Sequence, residues 1–426
     1  MDRTGARHKI LSWLLLLGTC LLVVAVDRLV LAAIGQTRWQ YDPALGYRMR
    51  PHWPLISYTG VESGTNAWGF HDDDFAAAKP AGQLRGLIVG DSVTMGVHLP
   101  RAQHYANQLE DILGSLDVRH ADYQVINTGV EGYDTGQARQ MLEETLRFAP
   151  DFIAVGLCLN DITDPYVLDR DLGGSGSYSG MRQAALPLWG YLLNETGFGR
   201  LALKANEDRQ WAEQRRLAPL YSVERMVQSV DEGQWAAGWT RTLDALAAIY
   251  RLARERDLPV VLVVFPYTFQ LLRPEWQRPQ ARLVEHAERH GADWINYAPL
   301  FEEASYMRLY RNLLQPGTAA VAQDEEGELV RFAAEVYFRD FNHFTAAGHQ
   351  LVALQLAGYL RAKGLVDIAE GALAQYREEL EARPVVFDRR LPHDGEYLRE
   401  RQRILLRLGL VRQAQKIEVL IRQQDL

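Results

Sequence analysis

Residues 87–96 read LIVGDSVTMG, from Leu87 to Gly96. Three apolar residues run into Gly90, and the polar pair Asp91 and Ser92 comes just before sequence that can turn helical. A serine there stands at a strand-to-helix turn. Glycine on either side lets the backbone turn tightly and come close to a substrate. Outward from this point the same rhythm repeats. Helix-like sequence covers Tyr105–Leu116, a second strand Tyr123–Asn127 and a helix Thr135–Phe148. A third strand, Phe152–Leu159, is apolar except for Gly156 and Cys158. A helix over Trp239–Arg256 precedes PVVLVVF, Pro259–Phe265, and a short fifth strand covers Trp294–Tyr297. Near-continuous apolar strands alternating with helices imply a parallel sheet covered on both faces. The expected fold is α/β, a doubly wound five-stranded parallel sheet that gathers its ligands at the carboxyl ends of the strands.

Four segments fall at those ends. Gly90-Asp91-Ser92 follows strand one, Asn127-Thr128-Gly129 strand two and Asn160-Asp161 strand three. Asp340-Phe341-Asn342-His343 lies near the end of the core and precedes an amphipathic helix. Each alone has an ordinary explanation. Gly-Asp-Ser is a common turn, Asn and Gly form loops, and an Asp three residues before a His can cap a helix. The lipase pattern GxSxG is not matched at Ser92.

Taken together, these blocks resemble the SGNH hydrolases, or GDSL esterases, whose fold is flavodoxin-like. The resemblance covers about Leu84 to Gly364, excluding an insertion at 165–236. It maps the four family residues onto Ser92, Gly129, Asn160 and His343, and the Asp of the triad onto Asp340. Phe344 stands where the family often has Pro. The implied roles follow from physical need. A serine hydroxyl requires a base, His343, to take its proton and return it to the leaving alcohol. Asp340 holds the imidazole tautomer. The Ser92 and Gly129 backbone N–H groups and the Asn160 side-chain amide form the implied oxyanion hole. Asp91 stays outside this catalytic set, as a turn residue or a support for the Ser92 loop. Neither cofactor nor metal is expected.

The composition fits a globular chain: of 426 residues, 47% are hydrophobic and 23% charged. A net charge of −8 without a long Lys/Arg run argues against nucleic acid as the main partner. The two cysteines, Cys20 and Cys158, are a poor disulfide pair and do not define the compartment.

Ile10 to Val26 reads ILSWLLLLGTCLLVVAV, an uncharged run that as a helix spans about 26 Å, close to a bilayer's hydrocarbon core. Arg3, Arg7 and Lys9 precede it, which predicts a cytoplasmic N-terminus and an exported remainder; Arg28 and Arg38 make that asymmetry modest. A single membrane anchor is the favoured reading. A cleaved signal peptide, a lipoprotein signal at Cys20 and a buried core helix are the alternatives.

The expected organisation has four parts. Residues 1–35 are a cytoplasmic tail and transmembrane anchor, and 36–83 a small aromatic, turn-rich module. Residues 84–364 form the catalytic domain, with 165–236 as a lid or a surface excursion. Residues 365–426 are a helical extension that packs on the core or docks a protein partner, with Gly409 between two helices. His286 and His290 sit four apart, where a solvated helix face is favoured over a metal site. Trp189, Trp211, Trp235 and Trp239 are read as packing residues rather than sugar platforms. The expected function is serine-dependent esterase or O-acyltransferase chemistry on acyl, in particular acetyl, esters of cell-envelope carbohydrate. The alternatives are a lipid esterase or lysophospholipase and a non-catalytic envelope carbohydrate-binding protein.

Overall fold

The computed structural model describes residues 3–35, 37–57, 60, 62–163, 188, 191–193, 195–202, 223–228, 233–313 and 336–381. Two compact units are distinguished: residues 1–50 with 167–220, and residues 51–166 with 221–426. The stretch 36–83 is divided between them. The Gly/Ser-rich segment 173–180, Trp189, Trp211 and the region around Gly409 lie outside the described residues.

The first unit holds helix α1, Arg3–Ile34, and the hairpin β1 (Trp39–Asp42) with β2 (Gly46–Met49), paired antiparallel from Trp39↔Met49 to Asp42↔Gly46. Asp42 closes the turn by accepting the Ala44 and Leu45 amides, and Leu45, Tyr47 and Met49 are buried. Within α1, Leu11–Ile34 is long and apolar enough to cross a membrane, a test that a signal sequence also passes.

The second unit begins with a small hairpin, β3 (Pro54–Ile56) and β4 (Glu62–Gly64). Its core is a five-stranded sheet of β5 (Gln83–Val89), β6 (Asp122–Asn127), β7 (Phe152–Leu157), β8 (Val260–Val264) and β9 (Asp293–Asn296). The spatial order is β6-β5-β7-β8-β9, all parallel. Every residue of β5, β7 and β8 is buried, as strands covered on both faces must be. The sequence places only Leu87–Val89 in the first strand, whereas β5 starts at Gln83. Arg85 hides the pattern: its fully buried guanidinium donates to the carbonyls of Ala76, Ala77 and Phe148. A charged residue is tolerated inside a sheet when its donors are satisfied in this way.

The helices are α2 (Ser92–Met95), α3 (Tyr105–Leu116), α4 (Thr135–Thr145), α5 (Asn160–Thr163), α6 (Val223–Gln228), α7 (Ala236–Arg254), α8 (Arg278–Arg289), α9 (Tyr297–Leu313), α10 (Ala346–Ala362) and α11 (Ala372–Glu381). One layer contains α3 packed on α10; the other contains α7 packed on α4 and α8. Chain order reverses at β5, between β6 and β7. The crevice at the carboxyl ends of β5 and β7 is where such sheets bind ligands.

His286 is not solvated. It is buried on α8, its ring 4.3 Å from that of His290 and 5.9 Å from Tyr250. Burial, followed by the charges of His290 and Arg289, lowers its pKa to about 4. An i, i+4 spacing cannot say which way a helix faces, and here the His286 side turns inward. Trp235 and Trp239 are buried packing residues.

Candidate active site

β5 ends at Val89, and the chain turns through Gly90 into α2. Asp91 is the N-cap, its Oδ1 accepting the Val93 amide at 2.9 Å, which satisfies an otherwise orphaned donor. Gly96 ends the helix with φ of 68°, a left-handed conformation that glycine adopts without strain. Ser92 is therefore the first residue of a one-turn helix at the carboxyl edge of the sheet.

Ser92 Oγ lies 2.8 Å from His343 Nε2, and His343 Nδ1 lies 2.8 Å from Asp340 Oδ2. A carboxylate only accepts, so the imidazole proton sits on Nδ1 and Nε2 faces the hydroxyl as acceptor. The other carboxylate oxygen, Asp340 Oδ1, accepts the backbone amides of Asn342 (2.9 Å) and His343 (2.8 Å). The loop is held further by Arg339 N–H to His343 O and by Thr268 N–H to Phe341 O. Phe344 anchors it in an aromatic cluster with Phe265, Phe301 and Phe338. A ring in that cluster fixes the loop by packing, where proline would fix it by φ.

Burial works to lower the His343 pKa, but the charge and hydrogen bond of Asp340 outweigh it, and the net shift is upward. Burial likewise works to raise Asp340; the charge and hydrogen bonds of His343 and the amide of Asn342 reverse this, and its pKa is lowered. Asp91 is pushed up by burial against the opposing pull of His343.

Asn160 starts α5 directly beyond β7. Its Nδ2 points to Asp91 Oδ2 at 3.4 Å, leaving its second N–H uncommitted to that contact. Gly129 packs so closely on α2 that a Cβ there would stand 2.5 Å from Met95 N. Its N–H donates to Asn127 Oδ1 at 3.0 Å, so an oxyanion arriving there must share or displace that bond. Asn127 also ties the second loop to the first through Nδ2 to Thr94 O at 2.9 Å.

Sequence reading did not find the brace beneath these loops. His71 Nδ1 is 3.0 Å from Met95 O, and Asp72 Oδ2 accepts the Asn127 amide at 2.9 Å. His104 Nε2 is 2.9 Å from His71 O. Burial lowers His71 to about 4 and raises Asp72 to about 8. The only signal was the segment NAWGFHDDD, whose polar residues look like turn formers. Next in the chain to Asn160, Asp161 accepts the Thr135 hydroxyl at 2.5 Å. A cavity of about 380 Å³ opens there, lined by Asp134, Thr135, Arg139, Asp161, Arg241 and Asp244 among others. Among the described residues no group of three or more His, Cys, Asp or Glu is arranged to hold a metal.

The doubly wound sheet with a serine–histidine–aspartate constellation at its carboxyl edge defines a serine hydrolase acting on esters. The chain belongs to the GDSL-like lipase/acylhydrolase family, whose model matches residues 88–351. Among solved structures it is similar to the acetyl xylan esterase AlAXEase. The identity is 12%, the match covers 65% of this chain and 100% of that one, and the TM-score is 0.35. It is also similar to a lipase/acylhydrolase from Enterococcus faecalis, at 14% identity, 67% and 99% coverage and a TM-score of 0.35. A third similar structure is a lipolytic G-D-S-L protein from Veillonella parvula, at 12% identity, 65% and 97% coverage and a TM-score of 0.34. No curated protein sequence matches the chain.

Proposed function

We propose that the protein is a membrane-anchored esterase or O-acyltransferase that works through an acyl-enzyme on acylated carbohydrate of the cell envelope. The relay Ser92–His343–Asp340, with both contacts at 2.8 Å, is the observation that carries this reading. His343 takes the Ser92 proton as Oγ attacks the acyl carbonyl. The tetrahedral oxyanion is held by the Ser92 and Gly129 N–H groups and the Asn160 amide. Collapse expels the alkoxide, which receives the proton from His343. Water or a sugar hydroxyl then attacks the acyl-enzyme, with His343 again as base. Water as acceptor makes the protein a hydrolase, and a sugar hydroxyl makes it a transferase.

One feature supports an envelope substrate. The apolar stretch Leu11–Ile34 of α1, preceded by Arg3, Arg7 and Lys9, supports an anchor with the catalytic unit on the exported side. That helix also favours a second reading, a lipid esterase.

The test uses the full-length chain in detergent micelles with a fluorophosphonate probe. Labelling that is lost in Ser92→Ala supports the activated serine, and equal labelling of the variant refutes it. Acetyl and long-chain chromogenic esters, with and without an oligosaccharide acceptor, then separate the readings. Preference for long chains favours the lipid esterase. No acyl release or transfer by a folded sample rejects the enzymatic reading of this site.

A further inference from the structure

The first unit carries a second apolar element beside α1. Residues 191–193 and 195–202 are largely helical and lie against its C-terminal part. The Phe198 amide donates to Asp27 Oδ1 at 2.9 Å, and Asp27, the one acid within the apolar helix, is only 7% exposed. Gly197 makes this approach possible, since a Cβ there would stand 2.7 Å from Leu31 N. The polar residues of the segment face the protein. Glu195 binds Arg50 at 2.8 Å and the Tyr41 amide at 2.9 Å, and Arg200 donates to Gly35 O at 2.5 Å. The apolar residues face outward: Leu188, Tyr191 (47% exposed), Leu192, Phe198 (46% exposed) and Leu201.

Polar side chains turned in and large apolar ones turned out is the reverse of what water selects. It is the arrangement a lipid phase stabilises. The same unit also exposes apolar residues of α1, among them Val23, Val24 and Leu29. Ile10–Val26 alone spans about 26 Å as a helix, so with that run in the hydrocarbon Asp27 and the Phe198 amide stand at its edge. We propose that Leu188, Tyr191, Leu192, Phe198 and Leu201 form a membrane-interface patch whose side chains insert into lipid beside the anchor. This rests on the anchor reading of α1. It makes this part of the 165–236 insertion a membrane contact rather than a lid.

The full-length chain, with Cys20→Ala to remove the exposed thiol, is reconstituted in nanodiscs of phosphatidylcholine and phosphatidylglycerol. Leu14→Cys, Leu192→Cys and Phe198→Cys are each labelled with an environment-sensitive fluorophore, after thermal unfolding confirms that each variant folds. Lipids carrying a nitroxide near the headgroup should remove most of the emission at 192 and 198. A nitroxide deep in the chain should remove it at 14. Quenching at 14 without quenching at 192 and 198 overturns this inference and leaves the anchor standing. Cross-links between chains at 192 or 198 in that case assign the patch to a second copy. No quenching at 14 removes the anchor itself, and this inference with it.

Discussion

Replacing Asp340 with Asn tests the proposed relay most directly, because the structure dictates how the new side chain must sit. Asp340 Oδ1 accepts two backbone amides at 2.9 and 2.8 Å. Those donors require an oxygen, so Asp340→Asn keeps its carbonyl there and turns its NH₂ toward His343 Nδ1. That NH₂ only donates, so Nδ1 must become the acceptor and the ring proton moves to Nε2. The nitrogen 2.8 Å from Ser92 Oγ then carries a hydrogen and cannot accept the serine proton. The expected loss is ~10⁴-fold in kcat, about 5 kcal/mol of transition-state stabilisation. The fold is retained, since both loop hydrogen bonds survive. The pH profile should also change. His343 must be neutral to act as base, so activity falls as pH drops through its pKa. In the wild type that limb lies above the ordinary value of 6.5, because Asp340 outweighs burial. Without the carboxylate, burial opposes only the smaller pull of Asp91 and Glu131, and the limb of the residual activity should move down from its wild-type position. A chromogenic ester assayed from acid to neutral pH reads both quantities. A loss of less than tenfold, or a limb that does not move, would refute the relay.

Asn160→Ala should lower kcat by ~10²–10³ with an unchanged circular dichroism spectrum, as expected for loss of one oxyanion donor; full activity would take Asn160 out of the mechanism. Gly129→Ala forces a methyl against Met95 N and should cost about 1–3 kcal/mol in urea unfolding, with reduced serine labelling as α2 shifts. Wild-type stability in this variant's titration would show that α2 accommodates the methyl. The ion pair also has a stability signature. The lowered pKa of Asp340 contributes stability above 3.8 that is lost as pH falls through its folded value. The raised pKa of His343 contributes stability below 6.5 that is lost as pH rises through its folded value. Urea midpoints of Ser92→Ala should therefore decline above pH 6.5, and those of the double variant with Asp340→Asn should not; parallel curves would contradict the linkage.

Much of the catalytic unit was legible in the chain. Strands β7 and β8 are buried on both faces, so their sequences are continuous apolar runs that need no partner to be recognised. The residues of the candidate site were legible because each of Ser92, Gly129 and Asn160 follows the end of a strand. Arg85 defeated the same reasoning in β5, since a charge reads as exposed until the carbonyls that neutralise it are known.

Sequence by itself determined the strand–helix alternation, the residues at the carboxyl edge and the apolar character of α1, all carried by local pattern and period. Only the tertiary structure decided which polar groups meet. Ser92 and His343 are far apart in the chain, and hydrogen bonding between them depends on how the last loop packs through Phe344. His71 and Asp72, inside the stretch read as turn-rich, form a buried brace beneath the serine loop. His286, read as solvated, turned inward. Leu192, Phe198 and Leu201 face outward, while Asp27, Arg50 and Gly35 bond the polar groups beside them. Burial and pairing belong to the whole fold, and neither has a signature in the local order of residues.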